Sequence, residues 1–192
     1  MRPALLIHGP TASGKTQISL ELAKRLGGEI VNADSMQVYR DLRVLTARPT
    51  DEEMKEAPHH LFGYKDAAER GSAGSWLRDA RPIILDIQKR GNIPIIIGGT
   101  GLHLMALVDG LSEIPPIPED SRQEVRKLFQ QEGPLGAHRM LAETDPESAE
   151  RLAPNDRQRV ARALEVWYAT GKTLSSYHEN KTPPVLTKGE RL

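Results

Sequence analysis

The chain has 192 residues, and its 26 lysines and arginines are balanced by 26 aspartates and glutamates, so the formal net charge is zero. That length suits one domain, or one domain with a sizeable insertion, and the charge balance excludes nucleic-acid binding through bulk positive charge, leaving only a local patch. Cysteine is absent, which removes disulfides, thiolate catalysis and cysteine-based zinc sites together.

In chain order, the apolar run at residues 4–8 reads as a strand buried on both faces. It leads into Gly9-Pro10-Thr11-Ala12-Ser13-Gly14-Lys15-Thr16, which is G-x-x-x-x-G-K-[ST], the phosphate-cradling P-loop. Two glycines let the backbone curl so that several N–H groups meet one anion, and the helix behind them adds its dipole. Lys15 supplies a mobile positive charge, and the Thr16 hydroxyl is placed to ligate Mg²⁺. The bland alternative is a glycine-rich turn that binds nothing. The amphipathic stretch at residues 18–23 argues against it. Residues 9–16 are therefore expected to hold a di- or triphosphate, as nucleotide-binding and ATP-binding proteins do.

The helix runs to about residue 26 and closes at Gly27-Gly28, and a second strand at 29–33 ends at Asp34-Ser35. A short capped helix follows at 51–55 and a longer one at 76–90, with Leu77, Ala80, Ile84, Leu85 and Ile87 as its apolar positions. A third strand at 93–97 ends at Gly98-Gly99-Thr100-Gly101. Alternating helices and apolar strands predict an α/β fold with a parallel sheet covered on both faces. Ile114-Pro115-Pro116-Ile117-Pro118 is a stiff connector, and every pattern beyond it to about residue 170 is helical. Asp145-Pro146-Glu147 starts one helix with a cap and an N1 proline; Asn155 is expected to cap another, running through Val160, Leu164 and Trp167 to Gly171. Residues 175–192 are polar and read as poorly ordered. The expected division is a core at 1–114, resumed by 177–192, and a helical insertion at 115–176. Neither a signal sequence nor an apolar run of spanning length is visible, which implies a soluble, cytoplasmic protein.

Ligands of open α/β sheets bind beyond the carboxyl ends of the strands, and Asp34 is the only carboxylate at such a position. It reads as a Walker-B-type Mg²⁺ ligand, as a general base, or as a cap for the following loop. The third strand ends in glycines and Thr100 where many NTPases have an acidic residue, which speaks against a water-activating hydrolase. Gly99 and Gly101 suit close approach of backbone to a ligand, with the Thr100 hydroxyl as a pointer. Adjacent His59 and His60 lack further ligands at metal spacing, so structural roles are favoured over a metal. Trp76 and Trp167 read as core residues. In Arg157-Gln158-Arg159-Val160-Ala161-Arg162, Arg159 and Arg162 share a helix face. Cations at a helix N-terminus oppose its dipole, which hints at an anionic partner. The alternative is a solvated face paired with Asp156 and Glu165.

Taken together, the P-loop, Asp34-Ser35-Met36-Gln37-Val38-Tyr39-Arg40, Thr46-Ala47-Arg48-Pro49-Thr50, Pro58-His59-His60-Leu61, Gly98-Gly99-Thr100-Gly101-Leu102, Asn155-Asp156-Arg157-Gln158-Arg159 and Arg162-Ala163-Leu164-Glu165-Val166 resemble the tRNA dimethylallyltransferases. The match runs from Met1 to about Ser175. The resemblance implies an enzyme that moves a dimethylallyl group from dimethylallyl diphosphate to N6 of the adenosine 3′ to the anticodon; a monomer is expected. The P-loop, residues Gly9, Pro10, Thr11, Ala12, Ser13, Gly14, Lys15 and Thr16, would hold the diphosphate, with Mg²⁺ at Thr16. By position, Asp34 would be the general base and Thr100 a hydrogen-bonding group in the reaction channel, which the adenine enters by base flipping. Asp34, Ser35, Met36, Gln37 and Thr100, with Gln158, Arg159, Val160, Ala161 and Arg162, match tRNA-contacting positions, and Arg122 falls where a further contact is expected.

His103 stands where the family usually has tyrosine, and Gly71 where an aromatic is common; neither removes a catalytic group, and by the resemblance both would reshape the channel wall. Family members also continue for roughly another domain. Only three strands are legible, whereas parallel sheets of this kind usually have about five, so one sheet edge or docking face is expected to lie uncovered and the chain to be part of a longer enzyme. Two other readings stand beside this one: a P-loop small-molecule kinase, although no arginine-rich lid is visible, and a truncated RNA- or phosphate-binding fragment without turnover.

Overall fold

The computed structural model describes residues 3–187 and 189. Their contacts divide them into two units, one running to Gly110 and resuming at Pro183, the other Leu111–Thr182.

The first unit carries four parallel strands: β1 (Leu5–His8), β2 (Gly28–Asn32), β3 (His59–His60) and β4 (Ile93–Gly98), in the order β1-β4-β2-β3. Continuous apolar sequence places β4 and β2 at the centre, and Ile30, Val31, Ile95 and Ile96 are fully buried. The first strand departs from expectation. Leu5, Leu6 and Ile7 are half-buried rather than buried on both faces, because β1 pairs only with β4 among the described strands. The fourth strand, β3, is two residues long and too short to show alternation in sequence.

Helices α1 (Lys15–Leu26), α2 (Asp51–Glu56), α3 (Ala73–Lys89) and α4 (Gly101–Asp109) complete this unit. Gly27, at φ 63°, takes the left-handed turn that ends α1. Thr50 and Glu53 form a reciprocal capping box on α2. The Ser72–Ser75 pair does the same for α3, three residues earlier than the apolar pattern indicates. Helix α4 is almost continuously apolar and has no amphipathic period to announce it.

Trp76, Ala80, Ile84 and Ile87 of α3 pack with Val31, Ile96 and Leu107 into one core, while Leu20 and Ala23 of α1 join Ile30, Ile95 and Ile97 in another. The segment expected to be disordered contributes to the first core. Val185 and Leu186 donate their N–H groups to the Leu107 carbonyl, and the Leu186 side chain is fully buried. The charged positions Lys188, Glu190 and Arg191, with Leu192, lie outside the described residues.

The second unit is helical: α5 (Glu119–Thr144), α6 (Pro146–Arg151), α7 (Arg157–Thr170) and α8 (Leu174–His178). Helix α5 breaks at Gly133, whose φ is 66°, ahead of Pro134. Val125, Ala137, Leu141, Val160, Ala163 and Leu164 form the unit's core. Asp145 starts α6 as read from sequence, with Pro146 at the first helical position and its carboxylate accepting from the Ser148 N–H. It is 1% exposed, and it also accepts from the Ser175 N–H, which ties α8 to α6. Burial pushes its pKa up, but the hydrogen bonds from Ser148 and Ser175 outweigh that and hold it below the ordinary value. The cap of α7 is Asp156 rather than Asn155: its carboxylate accepts from the Arg159 N–H. Both residue types cap well, so sequence alone does not separate neighbours.

Candidate active site at the strand ends

Because the strands are parallel, β1, β2 and β4 send their carboxyl ends to one edge of the sheet. His8 is opposite Gly98 and Asn32 is opposite Ile97. The P-loop, the Asp34–Gln37 segment and Gly99-Thr100 all leave from that edge.

In the P-loop, Ala12 (φ 63°) and Gly14 (φ 80°) are left-handed. This turns backbone groups inward in the way an anion nest requires. Helix α1 then begins with no side-chain cap and no acidic residue in its first turn, leaving its N–H groups and dipole open to an anion. The Lys15 ammonium folds over the loop and donates to the carbonyls of Gly9, at 2.8 Å, and Pro10.

Asp34 follows β2 and is half-buried. Its Oδ1 accepts from the Met36 N–H at 2.9 Å, so one oxygen does cap the following loop. The other points toward Gly99: a Cβ built there would lie 3.4 Å from Asp34 Oδ2 and 3.6 Å from the Gly9 carbonyl oxygen. Gly99 therefore lies between the base of the P-loop and the free carboxylate oxygen. At Gly98 the approach is closer, since a Cβ would fall 2.2 Å from the Ala33 carbonyl carbon, and only glycine is accommodated. The Thr100 hydroxyl accepts from the Ser35 N–H at 2.9 Å and donates to the Ser35 hydroxyl at 3.2 Å, joining the ends of β4 and β2. The Gln37 side-chain amide donates to the Thr46 and Ala47 carbonyls.

Beneath Asp34 lie Asn32 and Trp76, which sequence reasoning did not single out for function, together with His103, which it placed at the channel wall. Asn32 is fully buried, and its side-chain amide bonds the backbone of Asp34. Trp76 donates Nε1–H to the Asn32 carbonyl at 2.8 Å and stacks face to face on His103, with ring centroids 4.3 Å apart. Burial lowers the His103 pKa to about 4, with the Ala33 carbonyl opposing, so the ring is neutral. The sequence pattern marks Trp76 as core, but not its bond.

The two adjacent histidines serve the scaffold. His60 pairs with Glu29 at 2.8 Å, and His59 bonds the Ala57 carbonyl and meets Phe62 edge-on. Among the described residues no group of three acidic, histidine or cysteine side chains could hold a metal ion.

In the helical unit, Arg159 pairs with Asp156 at 3.3 Å and Arg162 with Glu165 at 3.8 Å. The dipole cost inferred for this helix start is thus met by Asp156. Val160 is fully buried in the core of the unit and offers no surface to an RNA, while Ala161 packs partly buried against it. Gln158, Arg159 and Arg162 keep exposed or half-exposed side chains. The Arg122 Nε is buried with no hydrogen-bond partner among the described residues. Trp167 is half-buried, unlike Trp76.

Residues 37–190 match the IPP transferase family, and residues 3–62 match the isopentenyl transferases. The chain belongs to the IPP transferase family. It is 57% identical over 190 residues to the tRNA dimethylallyltransferase of Hyphomonas neptunium, covering 99% of this chain and 60% of that one. Identity is 51% to its counterpart in Rhodopseudomonas palustris, covering 96% of this chain and 58% of the relative. The chain thus spans about three-fifths of the length of these curated relatives. Among solved structures, it superposes with a TM-score of 0.76 on a eukaryotic dimethylallyltransferase acting on tRNA, at 30% identity, over 97% of this chain and 48% of that one. The tRNA isopentenylpyrophosphate transferase of Bacillus halodurans follows at a TM-score of 0.56 and 41% identity, covering 90% and 57% of the two chains. These likenesses and the parallel sheet establish the α/β, P-loop type of fold. No helix of the described residues is long and apolar enough to cross a membrane.

Proposed function

We propose that this chain carries the reaction centre of an enzyme that transfers a dimethylallyl group from dimethylallyl diphosphate to N6 of the adenosine 3′ to the anticodon of tRNA. The observation that carries this reading is the placement of Asp34 Oδ2 against Gly99, directly beside the base of the P-loop. A diphosphate on the open N-terminus of α1 would set its allylic carbon within reach of an amine that Asp34 deprotonates. The N6 nitrogen forms a bond to that carbon as the carbon–oxygen bond to diphosphate breaks, and the amine proton passes to the Asp34 carboxylate. Lys15 and the P-loop N–H groups hold the negative charge that develops on the leaving group. Thr100 fixes the Asp34–Ser35 turn across from β4.

Mg²⁺ fits this site in one mode. With no three-ligand protein cluster among the described residues, it would be held by the Thr16 hydroxyl, the diphosphate oxygens and water, the usual manner for this ion. When bound it neutralises charge on the leaving diphosphate. The exposed side chains of Gln158 and Arg159 and the half-exposed Arg162, with Arg122, are proposed to contact the tRNA; Val160 is not part of that surface.

The test is incubation with dimethylallyl diphosphate, Mg²⁺ and tRNA, followed by mass analysis of the released nucleosides. The expected result is one adenosine carrying a single added dimethylallyl group. Phosphate release from ATP without a prenylated adenosine would replace this reading with that of a kinase or hydrolase.

A further inference from the structure

Strand β2 ends at Asn32, so the backbone of Asp34 has left the sheet ladder. Its polar groups are satisfied instead by one side chain. The Asp34 N–H donates to Asn32 Oδ1 at 2.9 Å, and Asn32 Nδ2 donates to the Asp34 carbonyl at 3.1 Å. The same Nδ2 also donates to the Leu61 carbonyl at 3.0 Å, tying the turn to the end of β3, where Leu61 itself is left-handed at φ 64°. Asn32 is fully buried, and its own carbonyl is held by Trp76 Nε1–H. Burial and three amide contacts leave it a single orientation.

We infer that Asn32 is a positioning residue for Asp34, clamping both backbone polar groups of the carboxylate-bearing residue so that Asp34 Oδ2 stays aimed past Gly99. The inference rests on the proposed role of Asp34 as the base. An asparagine side chain is suited to this task because its amide presents a donor and an acceptor side by side. Aspartate would keep the acceptor and lose the donor; alanine would leave both Asp34 backbone groups without that partner in a half-buried turn. Among the described residues the hydrogen bonds of Asn32 go to Asp34, Leu61 and Trp76 and none to the P-loop, so the clamp governs proton removal rather than diphosphate binding.

The test compares Asn32→Ala in the wild-type background and in an Asp34→Asn background. Dimethylallyl diphosphate affinity, single-turnover transfer to tRNA and the hydrogen exchange of individual backbone amides are measured for each. The expected result is a transfer rate lowered by about 10- to 100-fold, the cost of a misplaced catalytic group, with affinity changed less than about twofold. In the Asp34→Asn background the further loss should nearly vanish, because the two residues act through one group. Equal losses in the two backgrounds, or a fall in affinity matching the fall in rate, would overturn the inference. Asn32→Asp, which keeps the volume, takes the place of Asn32→Ala if the latter does not fold. If wild-type protein transfers no prenyl group, the reading of Asp34 as base fails separately, and exchange decides the clamp. The Asp34 amide should then exchange faster by about tenfold or more in Asn32→Ala, with the Ile95 to Ile97 amides unchanged; an unchanged Asp34 amide would refute it.

Discussion

Strand β2 begins beside one carboxylate and ends beside another, and the two live in opposite circumstances. Glu29 is 3% exposed and saturated: Arg90 bonds both of its oxygens, Asn92 donates to one at 2.7 Å and His60 meets the other. The Arg90 guanidinium is the main reason its pKa falls to about 2, against the opposing effect of burial, with Asn92 and His60 assisting. Asp34 is half-exposed, has no ion pair among the described residues, and spends one oxygen on the Met36 N–H. A carboxylate whose two oxygens are both filled by an arginine and neighbouring side chains holds the fold together; one with a single oxygen engaged keeps the other open to a ligand.

The largest expected consequence of that difference is kinetic. Asp34→Asn should lower single-turnover prenyl transfer by about 10²–10⁴-fold, the usual range for a general base, with little change in folding stability. Glu29→Gln should do the reverse. It leaves Arg90 facing a neutral amide at the far end of the strand and should cost about 2–3 kcal/mol in urea unfolding, with the rate per folded molecule unchanged. Equal effects of the two variants on rate would erase the contrast.

Proton linkage sharpens it next. Because the Glu29 pKa is depressed in the fold, its contribution to stability is present above the unfolded value near 4.5 and is lost as pH falls toward about 2. His103 acts in a higher window. Below pH 6.5 the unfolded imidazole takes up a proton that the buried ring refuses until about 4, so stability falls across that interval by something of the order of 3 kcal/mol. His103→Gln should flatten the curve between pH 6.5 and 4, and Glu29→Gln should flatten it below 4.5, each followed by chemical unfolding at stepped pH.

The smallest effects belong to the paired surface arginines. Arg159→Ala should change stability by less than about 0.5 kcal/mol, because exposed ion pairs contribute little. If α7 contacts tRNA, Arg159→Ala and Arg162→Ala should each reduce the salt dependence of tRNA binding by about one phosphate contact. Unchanged salt slopes in both would mean that Asp156 and Glu165 are these arginines' only partners.

The contrast between the two carboxylates was only half legible in the sequence. The P-loop, Asp34 and Thr100 announce themselves because glycine spacing, strand ends and residue chemistry are local properties. The Glu29 cluster is invisible there, since Arg90 and Asn92 lie about sixty positions away and nothing local marks them as partners. The same holds for Leu186, a lone apolar pair after two prolines that finds Leu107 only in three dimensions, and for Asn32, which looks like one more polar residue in a strand. Helix α4 was hidden for a different reason: an element that is apolar all round carries no period to read.

The central claim is that the P-loop holds the diphosphate while Asp34 does the proton chemistry, and equilibrium binding of dimethylallyl diphosphate with Mg²⁺ tests it most directly because no turnover is needed. Affinities would be compared for the wild-type chain, Lys15→Ala and Asp34→Asn. Binding should be severely reduced in Lys15→Ala and nearly unchanged in Asp34→Asn. Loss of Mg²⁺-dependent binding in Asp34→Asn to the same degree as in Lys15→Ala would contradict the claim and make Asp34 a metal ligand.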